Sequence, residues 1–193
     1  MREDELATAL VDHFEAVPDA AEVRLEEPYD AEGAHGVADA YVRARTPERV
    51  DYLVELKADA AVRRSTGANE VLRQYRRMER YFYRDEDHAV RPTLGRTTPA
   101  VQLLLLFAPT PTCVHHVAEH ASLYASVESR GRVADVPAVR KVAFLTGLDG
   151  PPEELGFLTV NDGVAFGTDA FREAVPEGSR LAETLARMAS FEE

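Results

Sequence analysis

The amino-acid sequence predicts an α/β domain in which a central mixed β-sheet is flanked by helices. Runs rich in β-branched and aromatic residues alternate with amphipathic helical segments along the chain. One run, residues 101–107, is almost continuously aliphatic, which is typical of a central strand buried on both faces. The length of 193 residues, without a linker-like stretch, favours a single domain over residues 1–193.

Composition limits the class of protein further. Hydrophobic residues make up 45% and charged residues 29% of the chain, as in soluble globular proteins. No apolar run reaches the ~18 residues of a membrane span, and the acidic N-terminus has no signal-peptide core. We therefore expect a cytoplasmic protein without a membrane partner. The single cysteine, Cys113, excludes an internal disulfide.

The N-terminal part predicts a helix, a strand and a loop, in that order. Residues 3–16 fit a helix whose apolar side chains recur every four residues, with a proline just beyond its end. Residues 21–27 alternate apolar and charged side chains, as a half-buried strand does. Residues 29–35 are polar, and we expect a loop there.

Residues 36–57 contain two strand-like runs separated by a turn at Thr46-Pro47-Glu48. Both runs are rich in valine, leucine and tyrosine, the side chains favoured on a pleated, half-buried surface. A hairpin is the simplest geometry for two such runs joined by a short turn.

This predicted hairpin carries three ionisable residues, Asp39, Glu55 and Lys57. Because side chains alternate along a strand, Glu55 and Lys57 must share one face. If Asp39 on the neighbouring strand points to the same face, two carboxylates converge beside one ammonium group. Such a pair, with water and a substrate phosphate, suffices to bind Mg²⁺. Lys57 would then orient or deprotonate an attacking water, or stabilise charge developing at phosphorus.

After a small and polar connection, residues 68–83 predict a helix with two different faces. One face is an apolar stripe that should dock on the sheet: Val71, Tyr75, Met78 and Phe82. The other is an arginine ridge, which suits phosphate oxygens of DNA: Arg73, Arg77, Arg80 and Arg84. Alternatively, these arginines pair with acidic neighbours and only keep the protein soluble.

The remaining chain predicts further strands and helices without catalytic features. Residues 85–99 form a loop long enough to cover a substrate. We expect the following elements after it: a strand over 101–107, a helix over 114–129 capped by Thr112, a strand over 139–146, a hairpin over 156–167 turning at Asn161-Asp162-Gly163, and a helix from the Ser179 cap to Ala189.

Three histidines, His115, His116 and His120, raise the alternative of a zinc site. His116 and His120 are one turn apart on a predicted helix, a spacing found in metal-binding helices. No His-Glu-x-x-His motif is present, and no third ligand stands nearby in the sequence. We therefore expect surface or capping histidines.

Charge is distributed unevenly along the chain. The net charge is −12, yet residues 60–84 contain seven arginines and two glutamates, so this segment carries +5 and the remainder −17. Lysine occurs only at positions 57 and 141, whereas arginine, alanine and acidic residues abound. This bias is typical of the acidic surfaces of haloarchaeal proteins, adapted to high intracellular salt, although a GC-rich genome also favours it.

Asp39, followed sixteen residues later by Glu55-x-Lys57 and then by an arginine-rich helix, resembles the PD-(D/E)XK nuclease superfamily. Ala38 stands where many members have proline, a variation that the family tolerates. The resemblance implies a restriction-endonuclease-like core and hydrolysis of DNA phosphodiester bonds with Mg²⁺ or Mn²⁺. Asp39 and Glu55 would bind the metal, and Lys57 would assist the attacking water.

The same resemblance implies two supporting residues. Related nucleases often add a glutamate from the first helix to the metal site, and Glu3 lies in a suitable place, with Glu5 nearly as good. The phage exonuclease and RecB branch carries Gln-x-x-x-Tyr on the arginine-rich helix. This chain has Gln74 but Met78 at the tyrosine position, and Gln74 remains a candidate for supporting the site.

Other functions stay open at this point. The fold can serve as a non-catalytic module that binds nucleic acid, or as an interaction protein whose acidic surface only provides solubility. The expected partner is DNA, and a homodimer is common where two strands must be cut. Sequence does not distinguish endonuclease from exonuclease activity.

Overall fold

The computed structural model describes residues 1–15, 21–31, 34–44, 50–64, 67–79, 100–133, 136–146, 156–162 and 164–190. Several predicted features lie outside these residues: the turn at Thr46-Pro47-Glu48, Arg80, Phe82, Arg84 and the loop over 85–99.

The described strands form one mixed sheet of seven strands in the order β1-β2-β3-β4-β6-β5, with β7 pairing with β6. The strands are β1 (Ala21–Ala31), β2 (Ala34–Ala44), β3 (Val50–Lys57), β4 (Ala100–Phe107), β5 (Arg130–Val133), β6 (Val136–Leu145) and β7 (Phe157–Thr159). The β3-β4-β6 pairs are parallel and the others antiparallel. The predicted mixed α/β architecture is confirmed.

Seven helices are described around this sheet. They are α1 (Glu3–Glu15), α2 (Asp59–Arg64), α3 (Ala68–Arg77), α4 (Pro111–Glu119), α5 (Ala121–Ala125), α6 (Asp169–Ala174) and α7 (Arg180–Ala189). In the described part of the chain, no helix combines the length and the apolar character needed to cross a membrane.

The core lies between the central strands and the helices. Every residue of β4 from Leu103 to Phe107 is buried, as the aliphatic run predicts. The described residues of the apolar stripe, Val71, Tyr75 and Met78, are also buried, and the Tyr75 hydroxyl donates a hydrogen bond to the Leu103 carbonyl at 2.7 Å. This bond satisfies a buried polar group and fixes α3 against β4.

In the first half of the chain one prediction was wrong, and one helix was not predicted. Residues 29–31 and 34–35 belong to strands and not to the predicted loop over 29–35, because β1 continues to Ala31 and β2 starts at Ala34. Cross-strand pairing continues through these polar residues and overrides their turn propensity. The small and polar connection after Lys57 contains a helix that was not predicted, α2, which starts at Asp59.

Three predictions in the second half were wrong as well. Thr110, not Thr112, caps α4 by accepting from the Cys113 amide, and Pro111 at the first helical position needs no amide partner. The predicted long helix ends at Glu119, since His120 leaves helical geometry, and α5 follows. Strand β5 and helix α6 were not predicted.

The predicted hairpin over 156–167 is half present. β7 exists, but it pairs with β6, and residues 164–167 are not a strand. The Asn161 side chain explains the difference, because it accepts from the Val142 amide at 2.9 Å and donates to the Arg140 carbonyl at 2.9 Å. Its amide thus continues the hydrogen bonding of β6 where β7 has ended. The Ser179 cap and α7 are confirmed.

Candidate active site

Strands β2 and β3 separate from each other at Asp39. Their pairing ends at Ala40 and Val54, whereas β2 continues along β1 to Ala34 and β3 continues along β4 to Lys57. One step beyond the last pair, the register places Asp39 opposite Glu55. A gap therefore opens in the sheet beside these two carboxylates.

The Asp39 side chain bridges this gap. Its Oδ2 accepts a hydrogen bond from the Leu56 backbone amide at 2.6 Å. The side chain takes the place of a strand carbonyl, which satisfies the amide where regular pairing has stopped. Asp39 is thereby held against the end of β3.

Glu55 and Lys57 lie on one face of β3, as their spacing requires. The Lys57 Nζ donates to the Glu55 Oε1 at 2.6 Å, and the two side chains are only 7% and 11% exposed. Buried charges need such pairing, because burial of an isolated ion costs several kilocalories per mole. We call Asp39, Glu55 and Lys57 the carboxylate site.

The electrostatics show that the carboxylate site lacks positive charge. Burial, together with the nearby Glu55 carboxylate, raises the pKa of Asp39 to about 7. The Leu56 amide and the Lys57 ammonium oppose this rise, and Glu3 on α1 adds to it. Two carboxylates therefore compete for one ammonium group, and an additional cation would relieve the repulsion.

The sequence profile of the PD-(D/E)XK nuclease superfamily domain matches residues 1–189. The chain belongs to the PD-(D/E)XK nuclease superfamily. No curated protein and no solved structure matches it. The residues that carried the resemblance in the sequence are the same three that meet where β2 and β3 separate.

Members of the PD-(D/E)XK superfamily typically use divalent metals, and the donor chemistry of the carboxylate site fits such an ion. Within the described residues, no group of three or more His, Cys, Asp or Glu side chains is arranged to hold a metal. Asp39, Glu55 and Glu3 thus do not form a three-ligand set in this structure. Two carboxylates remain sufficient for Mg²⁺, which keeps several waters and binds substrate phosphate.

The end of β3 is fixed by contacts that the sequence did not predict. The Lys57 carbonyl accepts from the Ala108 amide at 3.0 Å and from the Cys113 thiol at 3.5 Å. The Thr110 hydroxyl also donates to the Asp59 carboxylate. Helices α2 and α4 therefore hold the backbone of Lys57 in position, and Asp59 at the start of α2 is the local sequence signal for this.

The remaining predicted site residues lie on α3. Gln74 is half-buried, and within the described residues it makes no hydrogen bond to Asp39, Glu55 or Lys57. Arg73 and Arg77 are exposed, and Arg73 also lies 3.6 Å from Glu70. The described half of the arginine ridge is accessible to a partner.

The histidines form a different kind of cluster, which we call the histidine group: His115, His116 and His120. His116 is buried, contrary to our expectation of surface histidines, and its Nε2 lies 2.7 Å from the Tyr124 hydroxyl. Burial lowers its pKa. The His115 Nε2 lies 3.2 Å from Glu119, so these nitrogens already have protein partners.

Proposed function

We propose that this protein is a metal-dependent deoxyribonuclease that hydrolyses phosphodiester bonds at the carboxylate site. The observation that carries the proposal is the convergence of Asp39 and Glu55 beside Lys57 in a buried position. Superfamily membership supports a nuclease, and the excess of negative charge supports the use of a cation.

Asp39 and Glu55 would hold Mg²⁺ or Mn²⁺. When bound, the divalent ion supplies polarisation of the phosphoryl oxygen and a lower pKa for the attacking water. The two side chains come from the neighbouring strands β2 and β3, so together they would hold the ion where these strands separate. Their partial burial excludes bulk water, which strengthens electrostatic interactions within the site.

Lys57 would act on the attacking water or on the charge that develops at phosphorus. Its ammonium group is already oriented by Glu55 at 2.6 Å and needs little reorganisation to donate a second hydrogen bond. Gln74 would support the site after substrate binding.

DNA would be held partly by the arginine ridge. Arg73 and Arg77 are exposed on α3, which is anchored to the sheet through Tyr75. Guanidinium groups bind phosphate oxygens in pairs, which suits a non-specific backbone contact. Because the rest of the chain is acidic, we expect DNA to approach only along this segment.

A second candidate is a nucleic-acid-binding module without turnover. It is favoured by the absence, within the described residues, of a three-ligand metal group. This module would retain DNA through the arginine ridge, would lose it at high salt, and would give no metal-dependent product.

One experiment separates the two candidates. Supercoiled and linear DNA are incubated with the protein, with and without Mg²⁺ or Mn²⁺, at both low and molar salt. Metal-dependent nicking or shortening supports the nuclease and also distinguishes internal from terminal cleavage. Retention of intact DNA at low salt, its release at molar salt and no metal-dependent product support the binding module.

A further inference from the structure

Glu26 on β1 has a backbone conformation that residues with a Cβ rarely adopt. Its φ is +51°. Among the described residues, no other non-glycine residue has a positive φ. Side chains crowd the backbone in this left-handed region, so the conformation persists only where surrounding structure imposes it.

The register of β1 and β2 places Glu26 opposite Asp39. Leu25 pairs with Ala40 and Glu27 pairs with Ala38, but the Glu26–Asp39 pair between them is missing from the ladder. On its other side, Asp39 lies where the pairing of β2 with β3 ends. Asp39 is therefore released from regular pairing with both neighbouring strands, and its carboxylate binds the Leu56 amide instead.

A contact across Glu26 shows that the alternation of side chains between the two faces of β1 is interrupted there. Arg24 and Glu27 are three residues apart and would face opposite sides of a regular strand. Here the Arg24 guanidinium donates to the Glu27 carboxylate at 2.9 Å, and it also lies 4.4 Å from the centre of the buried Tyr41 ring. The contact and the packing on Tyr41 together hold the left-handed conformation in place.

We propose that Glu26 is a positioning residue for Asp39 and acts through its left-handed backbone, not through its carboxylate. A regular residue at this position would extend the β1–β2 ladder through the backbone of Asp39, and the resulting shift of that backbone would move its carboxylate away from the Leu56 amide. The proposal rests on the proposed function only for its effect on cleavage, since the Asp39–Leu56 bond can be observed without substrate.

The test compares substitutions that tolerate a positive φ with one that does not. Glu26→Gly and Glu26→Asn accept the left-handed region, whereas the β-branched Glu26→Val resists it. Leu25→Val is the matched control, because Leu25 is exposed on the same strand and lies in regular pairing with Ala40. If Glu26→Val does not fold, Glu26→Ala provides the same comparison with a smaller penalty.

Three measurements are made on each variant: hydrogen exchange of the Leu56 amide, Mn²⁺ affinity by calorimetry, and kcat and KM for DNA cleavage. In Glu26→Val we expect the Leu56 amide to lose its protection from hydrogen exchange. We also expect kcat and Mn²⁺ affinity to fall about tenfold or more, with little change in KM. Glu26→Gly, Glu26→Asn and Leu25→Val should stay within about twofold of the parent protein.

Two results would overturn the proposal. Unchanged Leu56 protection in Glu26→Val would show that the backbone of Glu26 does not position Asp39. Equal losses of Leu56 protection and cleavage in Glu26→Gly and Glu26→Val would show that the carboxylate of Glu26, and not its backbone, positions Asp39. If the parent protein cleaves no DNA, the proposed function fails, but the exchange measurement still decides the role of Glu26.

Discussion

The carboxylate site and the histidine group both place metal-binding side chains close together, yet their surroundings differ. At the carboxylate site, two acidic side chains share one ammonium group, and the pKa of Asp39 rises to about 7. In the histidine group, the His116 ring nitrogen is bonded to Tyr124, and its ring packs in an aromatic cluster with Phe107. Excess negative charge, more than ligand type and spacing, therefore favours the carboxylate site over the histidine group as the proposed metal site.

Substitution of Lys57 should give the largest effect on activity. Lys57→Gln keeps a donor for Glu55 but removes the charge, so we expect metal-dependent cleavage to fall by about 10²- to 10⁴-fold. Circular dichroism checks that the variant folds. The matched control is Lys141→Gln, the other lysine of the chain, which lies on the opposite sheet face against Phe157. Undiminished cleavage by Lys57→Gln would eliminate the proposed mechanism.

The raised pKa of Asp39 predicts how metal binding depends on pH. Because its pKa is raised to about 7, the carboxylate is protonated below neutral pH and cannot bind a cation well. We expect Mn²⁺ affinity to increase as pH rises through about 7 and to reach a plateau above it. Asp39→Asn should bind Mn²⁺ weakly at every pH. A flat pH profile in the parent protein would contradict the raised pKa.

The same substitution also predicts a change in stability. The folded state holds a proton on Asp39 that the unfolded state releases near pH 4, so the folded protein loses stability as pH rises from about 4 to 7. Without metal, Asp39→Asn should be more stable than the parent at pH 8, by up to about 4 kcal/mol, and similar to it at pH 4. Chemical denaturation at both pH values measures this difference.

DNA affinity should depend on the arginine ridge and not on arginine content as such. Replacing Arg73 and Arg77 with alanine should reduce the salt slope of DNA binding by about 2 and lower affinity about tenfold at low salt. The double variant of Arg180 and Arg187 on α7 removes the same charge elsewhere and should bind as the parent does. Equal losses in both would mean that only net charge matters.

Substitutions in the histidine group should change stability and leave chemistry intact. His116→Leu leaves the buried Tyr124 hydroxyl without its partner, so we expect a loss of about 1–3 kcal/mol in unfolding free energy. His115→Leu on the exposed face should change stability by less than about 0.5 kcal/mol. Both variants should cleave DNA at the parent rate, whereas a loss of metal dependence in either would revive the zinc alternative.

Glu3 should have the smallest effect. It raises the pKa of Asp39 through its charge, while Glu5 is engaged by the backbone amide and the guanidinium of Arg2 at 2.9 and 3.1 Å. Glu3→Gln should weaken Mn²⁺ binding about two- to fivefold by removing a fraction of the site's negative charge, and Glu5→Gln should not. Equal binding by the two variants would remove Glu3 from the site.

Sequence patterns predicted the central sheet and the approach of Asp39 to Glu55, because strand alternation and burial are local properties of the chain. They did not predict α2 or the role of Thr110, since these depend on contacts between Asp59 and a residue 51 positions away. Nor could they predict the left-handed Glu26, whose conformation depends on pairing with β2. Tertiary contacts decided each of these features.

Calorimetric titration with Mn²⁺ tests the central claim most directly. We predict saturable binding by the parent protein and by a variant with His115→Ala and His120→Ala, and loss of that binding in Asp39→Asn and in Glu55→Gln. Unchanged binding in the two carboxylate variants, or its loss in the histidine variant alone, would contradict the assignment of the metal to the carboxylate site.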